Sequence, residues 1–178
     1  MTENSAREEI CRVGRSLFER GYVHATAGNI SVQLDDSEGG GYLITPTDAC
    51  LGFLAPAKLA RLDRNGEQIS GDRGSKTIVL HRKIYEASAS TTSAARCIIH
   101  THSTHCVSLS LGAESHSLLQ EVKGGRELRA ALTPYFVMKV GHVPVIDYRR
   151  PGDPQAAHAV AMAITRYSQE GTPIRAVM

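Results

Sequence analysis

Residues Cys97-Ile-Ile-His-Thr-His-Ser-Thr-His-Cys106 hold three histidines and two cysteines in ten positions. The apolar run Cys97–His100 reads as a strand, and Thr104–Leu111 as a helix following it. Residues two apart on a strand face the same way. His100 and His102 are therefore expected side by side at a strand end, with Ile99, Thr101 and Cys97 turned away from them. His105 lies past the strand and is not aligned with the pair. Two imidazoles on a rigid strand suit a borderline metal such as zinc, at Zn–N distances of about 2.0–2.1 Å. In that reading His100 and His102 hold the metal and the cysteines pack as small hydrophobes; two hydrogen-bonded histidines closing a sheet would look the same. The stretch alone leaves both readings open.

On either side of it, helical and strand periods alternate. Ser5-Ala-Arg-Glu8 reads as a capping box. Ile10, Val13, Leu17 and Phe18 then recur at helical spacing, predicting a helix over 6–20 that ends near Gly21. Asn29-Ile-Ser-Val-Gln-Leu34 alternates as a half-buried strand does, and Gly41-Tyr-Leu-Ile-Thr45 follows a turn-rich stretch. A short strand is expected at Ala60-Arg-Leu-Asp63, and a helix over 75–89. Tyr135–Val140 and Val143–Asp147 read as a strand pair around Gly141-His142, and Gly112–Gly125 as a polar loop. Pro154 opens an alanine-rich helix to about Glu170, and Ile174-Arg-Ala-Val-Met178 reads as a further strand. Interleaved helices and strands with short connections give an α/β class with a partly antiparallel sheet.

A chain of 178 residues with 42% hydrophobic and 21% charged content matches one ordinary globular domain. Twenty Lys and Arg against 18 Asp and Glu give no field that points to nucleic acid or to a membrane surface. No apolar run approaches the ~18 residues of a spanning helix, and MTENSAREEI lacks the features of a signal peptide. Cys11, Cys50, Cys97 and Cys106 form no framework spacing, so free thiols and a cytoplasmic location are expected.

Three loops upstream add chemistry. His24-Ala-Thr-Ala-Gly-Asn29 precedes a strand, Thr45-Pro-Thr-Asp48 follows one, and Gly74-Ser-Lys-Thr77 opens a helix. Small and hydroxylated residues expose amides and hydroxyls that can hold a phosphate, and a helix N-terminus adds partial positive charge. Any one of them is an ordinary turn or cap.

In this order with HxH, the chain resembles the class II aldolase/adducin family from about residue 6 onward. The resemblance is carried by Thr26-Ala-Gly-Asn-Ile-Ser-Val32, Ile44-Thr-Pro-Thr47, Leu80-His81 with Ile84-Tyr85, and His100-Thr-His102-Ser. Pro134-Tyr135, Gly141-His142-Val-Pro-Val145 and Pro151-Gly152 continue it. Within the family the decarboxylase branch acting on 3-oxo-tetronate 4-phosphates is most similar, through Arg15–Gly21, Leu51-Gly-Phe-Leu54 and Tyr148–Pro154; fuculose-phosphate aldolases come next. The resemblance implies a three-layer α/β fold, with a mixed, largely antiparallel central sheet between helices. It also implies a zinc-dependent lyase on a small phosphorylated sugar or sugar acid. Two zinc ligands map to His100 and His102. Phosphate contacts map to Thr26, Gly28, Asn29, Thr47, Ser75 and Lys76. Tyr135 maps to a tyrosine that a neighbouring subunit donates, which implies a homo-oligomer, typically a tetramer.

The chain departs from the pattern at three places. The family's acid/base glutamate lies one turn before the helix histidine, and Thr77 holds that position, four residues before His81. Asp48 stands where glycine is usual, adding negative charge beside a phosphate loop. The third zinc histidine belongs to an Asn-His-Gly beyond the strand that starts at Ile174, so residues 1–178 are expected to lack that strand-helix segment and to hold zinc weakly. His81 is expected to be structural, and His24, His105, His116, His142 and His158 give no basis for assignment as a ligand. The alternative to a lyase is a catalytically degenerate, adducin-like assembly or binding domain.

Overall fold

A computed structural model describes residues 1–111, 118–129, 133–150 and 152–178. The chain divides into two compact units, Met1–His81 with Arg96–Thr104, and Arg82–Ala95 with His105–Met178.

The first unit opens with helix α1, Glu3–Glu19. It starts one turn earlier than Ser5 and Glu8 suggested, because the Thr2 hydroxyl accepts the Ser5 N–H at 3.2 Å and Glu3 occupies the first turn. Five strands follow: β1 Asn29–Gln33, β2 Tyr42–Ile44, β3 Ala60–Leu62, β4 Gln68–Ser70 and β5 Cys97–His100. They pair in the order β4-β3-β2-β1-β5, and every described pairing is antiparallel. The alternation read in Asn29–Gln33 divides β1 between two faces. Ile30 and Val32 join Ala6, Ile10, Val23, Leu43, Leu51 and Leu59 in one apolar cluster. Each such side chain contributes about 1.5–3 kcal/mol by leaving water. Asn29 and Ser31 carry the other face, where the site lies. Arg61, 6% exposed, closes the far side through Glu3 at 3.0 Å and the Glu38 carbonyl at 3.1 Å.

Helix α2, Ile78–Ser88, crosses the division at His81. The second unit holds α3 Thr104–Leu111, the strands β6 Leu119–Val122, β7 Gly125–Leu128 and β8 Pro144–Val145, helix α4 Pro134–Lys139 and helix α5 Pro154–Gln169. Strands β6-β7-β8 form a second antiparallel sheet. Its centre is Glu127, 3% exposed, whose carboxylate accepts from Tyr167 at 2.8 Å and Gln120 at 2.7 Å, and meets His142 Nδ1 at 3.0 Å.

Three expectations change here. Tyr135–Val140 is not a strand: Thr133 caps through the Phe136 amide and Pro134 sits in the first turn, so these β-prone residues form α4. The loop expected to run to Gly125 contains β6, with Lys123-Gly124 as the tip of a β6–β7 hairpin. No strand forms over 174–178, where Met178 alone pairs its backbone with Pro144 and Ile146. His116 and Pro151 lie outside the described residues.

Candidate functional site

The site sits at one end of the five-stranded sheet, assembled by backbone register. Asn29 opens β1 and lies opposite His100, the last residue of β5. On the other side of β1, the Thr45 N–H donates to the Ile30 carbonyl and the Ile30 N–H to Thr45 Oγ1. The loop after Thr45 is stitched to the one before α2. Ser75 N–H donates to the Thr45 carbonyl at 3.1 Å, Thr47 N–H donates to the Arg73 carbonyl at 2.9 Å, and Pro46 bridges Gly74. His100, Asn29, Thr47 and Ser75 thus form one strip across the sheet end.

The two imidazoles lie side by side, with ring centroids 4.8 Å apart and planes at 43°. Strand alternation is not the reason, because β5 ends at His100 and His102 follows it in irregular chain. His100 is half-buried and His102 exposed. Burial, then the neighbouring His102, keep the His100 pKa below its ordinary value, so this ring is neutral with a lone pair to offer. Asn29 Nδ2 lies 3.3 Å from His100 Nδ1, while Asn29 Oδ1 is buried without a hydrogen-bond partner among the described residues. A pair of adjacent imidazoles fits part of a zinc or similar divalent site. Among the described residues no group of three His, Cys, Asp or Glu is arranged to hold a metal.

Gly28 shows how tight this corner is. Its φ is +87°, and a Cβ built there would stand 2.7 Å from the His100 carbonyl oxygen. Thr26 is exposed, and Asp48, also exposed, adopts φ +56°, a conformation that favours glycine. Ser75 is buried in the turn before α2, its hydroxyl accepting the Thr77 N–H at 3.3 Å. Lys76 is exposed and Thr77 half-buried, its carbonyl accepting the His81 N–H at 3.1 Å.

Below Asn29, the sequence reading missed a buried pair. His81 is 0% exposed and its Nδ1 lies 2.7 Å from Ser31 Oγ. Its Nε2 has no partner among the described residues. Burial, then the charge of His100, push the His81 pKa from 6.5 to about 3. Ser31 shares the Asn29 face by strand parity, the signal that could have found it. Tyr135 belongs to the second unit, on α4, and is 71% exposed.

Residues 8–177 match the profile of the class II aldolase and adducin N-terminal domain. The chain belongs to that family. It is 50% identical over 160 residues to a 3-oxo-tetronate 4-phosphate decarboxylase of Cupriavidus necator, covering 90% of this chain and 66% of that protein. An L-fuculose phosphate aldolase of Methanococcus maripaludis is 30% identical over 156 residues, covering 88% and 74%. Among solved structures, YgbL of Klebsiella pneumoniae superposes with TM-score 0.76 at 40% identity, covering 94% of this chain and 73% of that one. The chain therefore spans about two thirds to three quarters of the length of these relatives. No described helix is long and apolar enough to cross a membrane.

Proposed function

We propose that the chain is a metal-dependent lyase that decarboxylates a 3-oxo-tetronate 4-phosphate, with aldol cleavage of a ketose 1-phosphate such as fuculose 1-phosphate as the related activity. The observation that carries this reading is the strip itself: an adjacent histidine pair beside hydroxyl- and amide-rich loops at one sheet end. Thr26, Gly28, Asn29, Thr47, Ser75 and Lys76 would take the phosphate, Lys76 as a mobile point charge. His100 and His102 would hold zinc, which when bound supplies Lewis-acid polarisation of the substrate oxygen that gathers charge.

In the decarboxylation the C1–C2 bond breaks and carbon dioxide leaves. The bond's electron pair moves onto the C3 carbonyl oxygen as an enediolate forms. A proton returned to C2 gives dihydroxyacetone phosphate. Fixed donors beside that oxygen stabilise the charge without reorganising. Proton return is where this chain departs from its family. Thr77 holds the acid/base position, and a hydroxyl cannot exchange protons near neutrality as a tuned carboxylate does, a deficit of about 10²–10⁴-fold.

Tyr135 would reach a neighbouring copy's site. Its exposure, together with exposed Val137 and Met138 on α4, supports a homo-oligomer; a tetramer, a cytoplasmic location and a single class II aldolase-type domain over 1–178 complete the proposal on the family resemblance alone. A second reading, an adducin-like domain without catalysis, is favoured by Thr77 and Asp48. Turnover separates them. The purified chain is supplied with zinc and 3-oxo-tetronate 4-phosphate, with fuculose 1-phosphate as comparison. The lyase reading expects slow, zinc-dependent product formation below an ordinary ~10 s⁻¹, abolished in His100→Ala. No product from either substrate favours the second reading, and turnover that ignores zinc and His100 refutes the assignment of the histidine pair to a metal.

A further inference from the structure

The strongest unexplained feature of the site is the Asn29 carboxamide: one end lies 3.3 Å from His100 Nδ1, and the other is buried without a partner among the described residues. A neutral imidazole carries one proton, and the nitrogen that holds it has no lone pair for a metal. The carboxamide has two ends of opposite character, and a half-turn about its last bond exchanges them. With Nδ2 toward the ring, His100 Nδ1 must accept, the proton sits on Nε2, and the outer nitrogen offers no lone pair. With Oδ1 toward the ring, Nδ1–H donates and the Nε2 lone pair is free. The same half-turn replaces the buried, unpartnered carbonyl oxygen with an NH₂ group. That group needs an acceptor, and an anion's oxygen provides one.

We infer that Asn29 is a positioning residue that couples anion binding to the tautomer of His100, so that a phosphate oxygen on the amide NH₂ sets Nε2 ready for metal. The inference rests on the phosphate site and histidine pair proposed above. It goes further in giving one side chain both tasks and a direction of linkage. Phosphate and metal favour the same amide orientation, so each strengthens the other's binding, as linkage requires. Gly28 supports the geometry, since the absence of a Cβ lets the His100 backbone approach β1 closely enough for the contact.

The test reads the tautomer directly. Full-length chain labelled with ¹⁵N-histidine is followed by long-range ¹H–¹⁵N spectra at pH 8, metal-free, with and without inorganic phosphate. The native chain should move toward the Nδ1–H form of His100 when phosphate is added. Asn29→Asp, whose carboxylate only accepts, should hold Nδ1–H without phosphate. Asn29→Ala should revert to the Nε2–H form common for free imidazole and ignore phosphate. Two variants at one position that fix opposite tautomers, whatever the phosphate concentration, distinguish tautomer control from a packing defect, and Asn29→Asp remains informative if Asn29→Ala fails to fold. A Co²⁺ titration gives the second readout. Phosphate should raise the native chain's affinity ~5-fold or more, and Asn29→Ala should lower affinity ~10-fold and lose the phosphate effect. A native His100 that stays Nε2–H in phosphate, or a phosphate response that survives in Asn29→Ala, overturns the inference. Absence of metal binding or turnover counts against the lyase reading, while the tautomer spectra still decide the role of Asn29.

Discussion

Acid should unfold this chain through His81 before its carboxylates protonate. His81 is fully buried against Ser31, and its folded-state pKa of about 3 lies far below the 6.5 of a free histidine. The unfolded chain therefore takes up a proton near pH 6.5 that the native state refuses. His81 contributes its full stability above that pH, and the contribution falls as pH drops from 6.5 toward 3. Between pH 8 and pH 5 the loss from this residue is about 2 kcal/mol, and it would reach about 5 kcal/mol by pH 3. The window above pH 5 is informative because Glu3 and Glu127, both held below 4.5, do not titrate in it. His81→Gln keeps a hydrogen-bonding group near Ser31 and removes the titration. Urea unfolding followed by far-ultraviolet circular dichroism, at half-unit steps from pH 8 to 5, gives both curves. The native chain should lose about 2 kcal/mol more than the variant across that range. Parallel curves, agreeing within about 0.5 kcal/mol, would refute the assignment of a buried, neutral imidazole.

Other perturbations follow from single residues. Asp48→Gly should stabilise the chain by roughly 0.5 kcal/mol, because its φ of +56° suits glycine, and should strengthen inorganic phosphate binding by removing a charge; urea midpoints and calorimetric phosphate titration check both. Gly28→Ala should cost about 2–4 kcal/mol through the 2.7 Å clash with the His100 carbonyl and its φ of +87°, and should lower Co²⁺ affinity, as denaturation and metal titration would reveal. Burial raises the Glu127 pKa, but hydrogen bonds from Tyr167, Gln120 and His142 outweigh it and hold the group below 4.5. Its stabilisation is present above that value and disappears as pH falls through the folded pKa. Glu127→Gln should therefore cost about 1–3 kcal/mol at pH 7 and progressively less on acidification, measured as the gap between two pH–stability curves.

Where local periodicity and burial agreed, the sequence was readable. Asn29–Gln33 alternates because one face meets α1 and the other meets the site, whereas Cys97–His100 was legible as a short apolar run although Cys97 and Ile99 are exposed. Pro154–Gln169 announced itself through Pro154, a first-turn proline ahead of an alanine-rich run, and the structure adds Asp153 as its cap. Tyr135–Val140 failed because aromatic and β-branched residues suggested a strand, while Thr133-Pro134 directed a helix. Leu119–Leu128 failed because polar residues at 120, 121 and 126 disguised a hairpin whose buried member is Glu127, and a buried carboxylate leaves no apolar trace. At the site, the expected meeting of His100 with Asn29 is observed. The His81–Ser31 pair was half-seen: the packing side of His81 followed from helical spacing, but its partner lies 50 residues away on another element. Likewise no periodicity announces that the Ser75 hydroxyl holds the turn before α2 while its amide ties down the Thr45 loop.

The pairing of Asn29 with His100 joins residues 71 positions apart. Closing so long a loop is slow compared with forming the β1–β2 contact, whose strands are near neighbours in the chain, because non-local contacts yield nothing until the intervening entropy is lost. During refolding, the left half of the strip, Thr45 against Ile30, can exist before the right half does. Only when β5 docks on β1 do the imidazoles arrive beside the amide. Metal-binding competence is therefore a clock for the last step of assembly: in a stopped-flow experiment the Co²⁺ signal should lag the recovery of secondary structure.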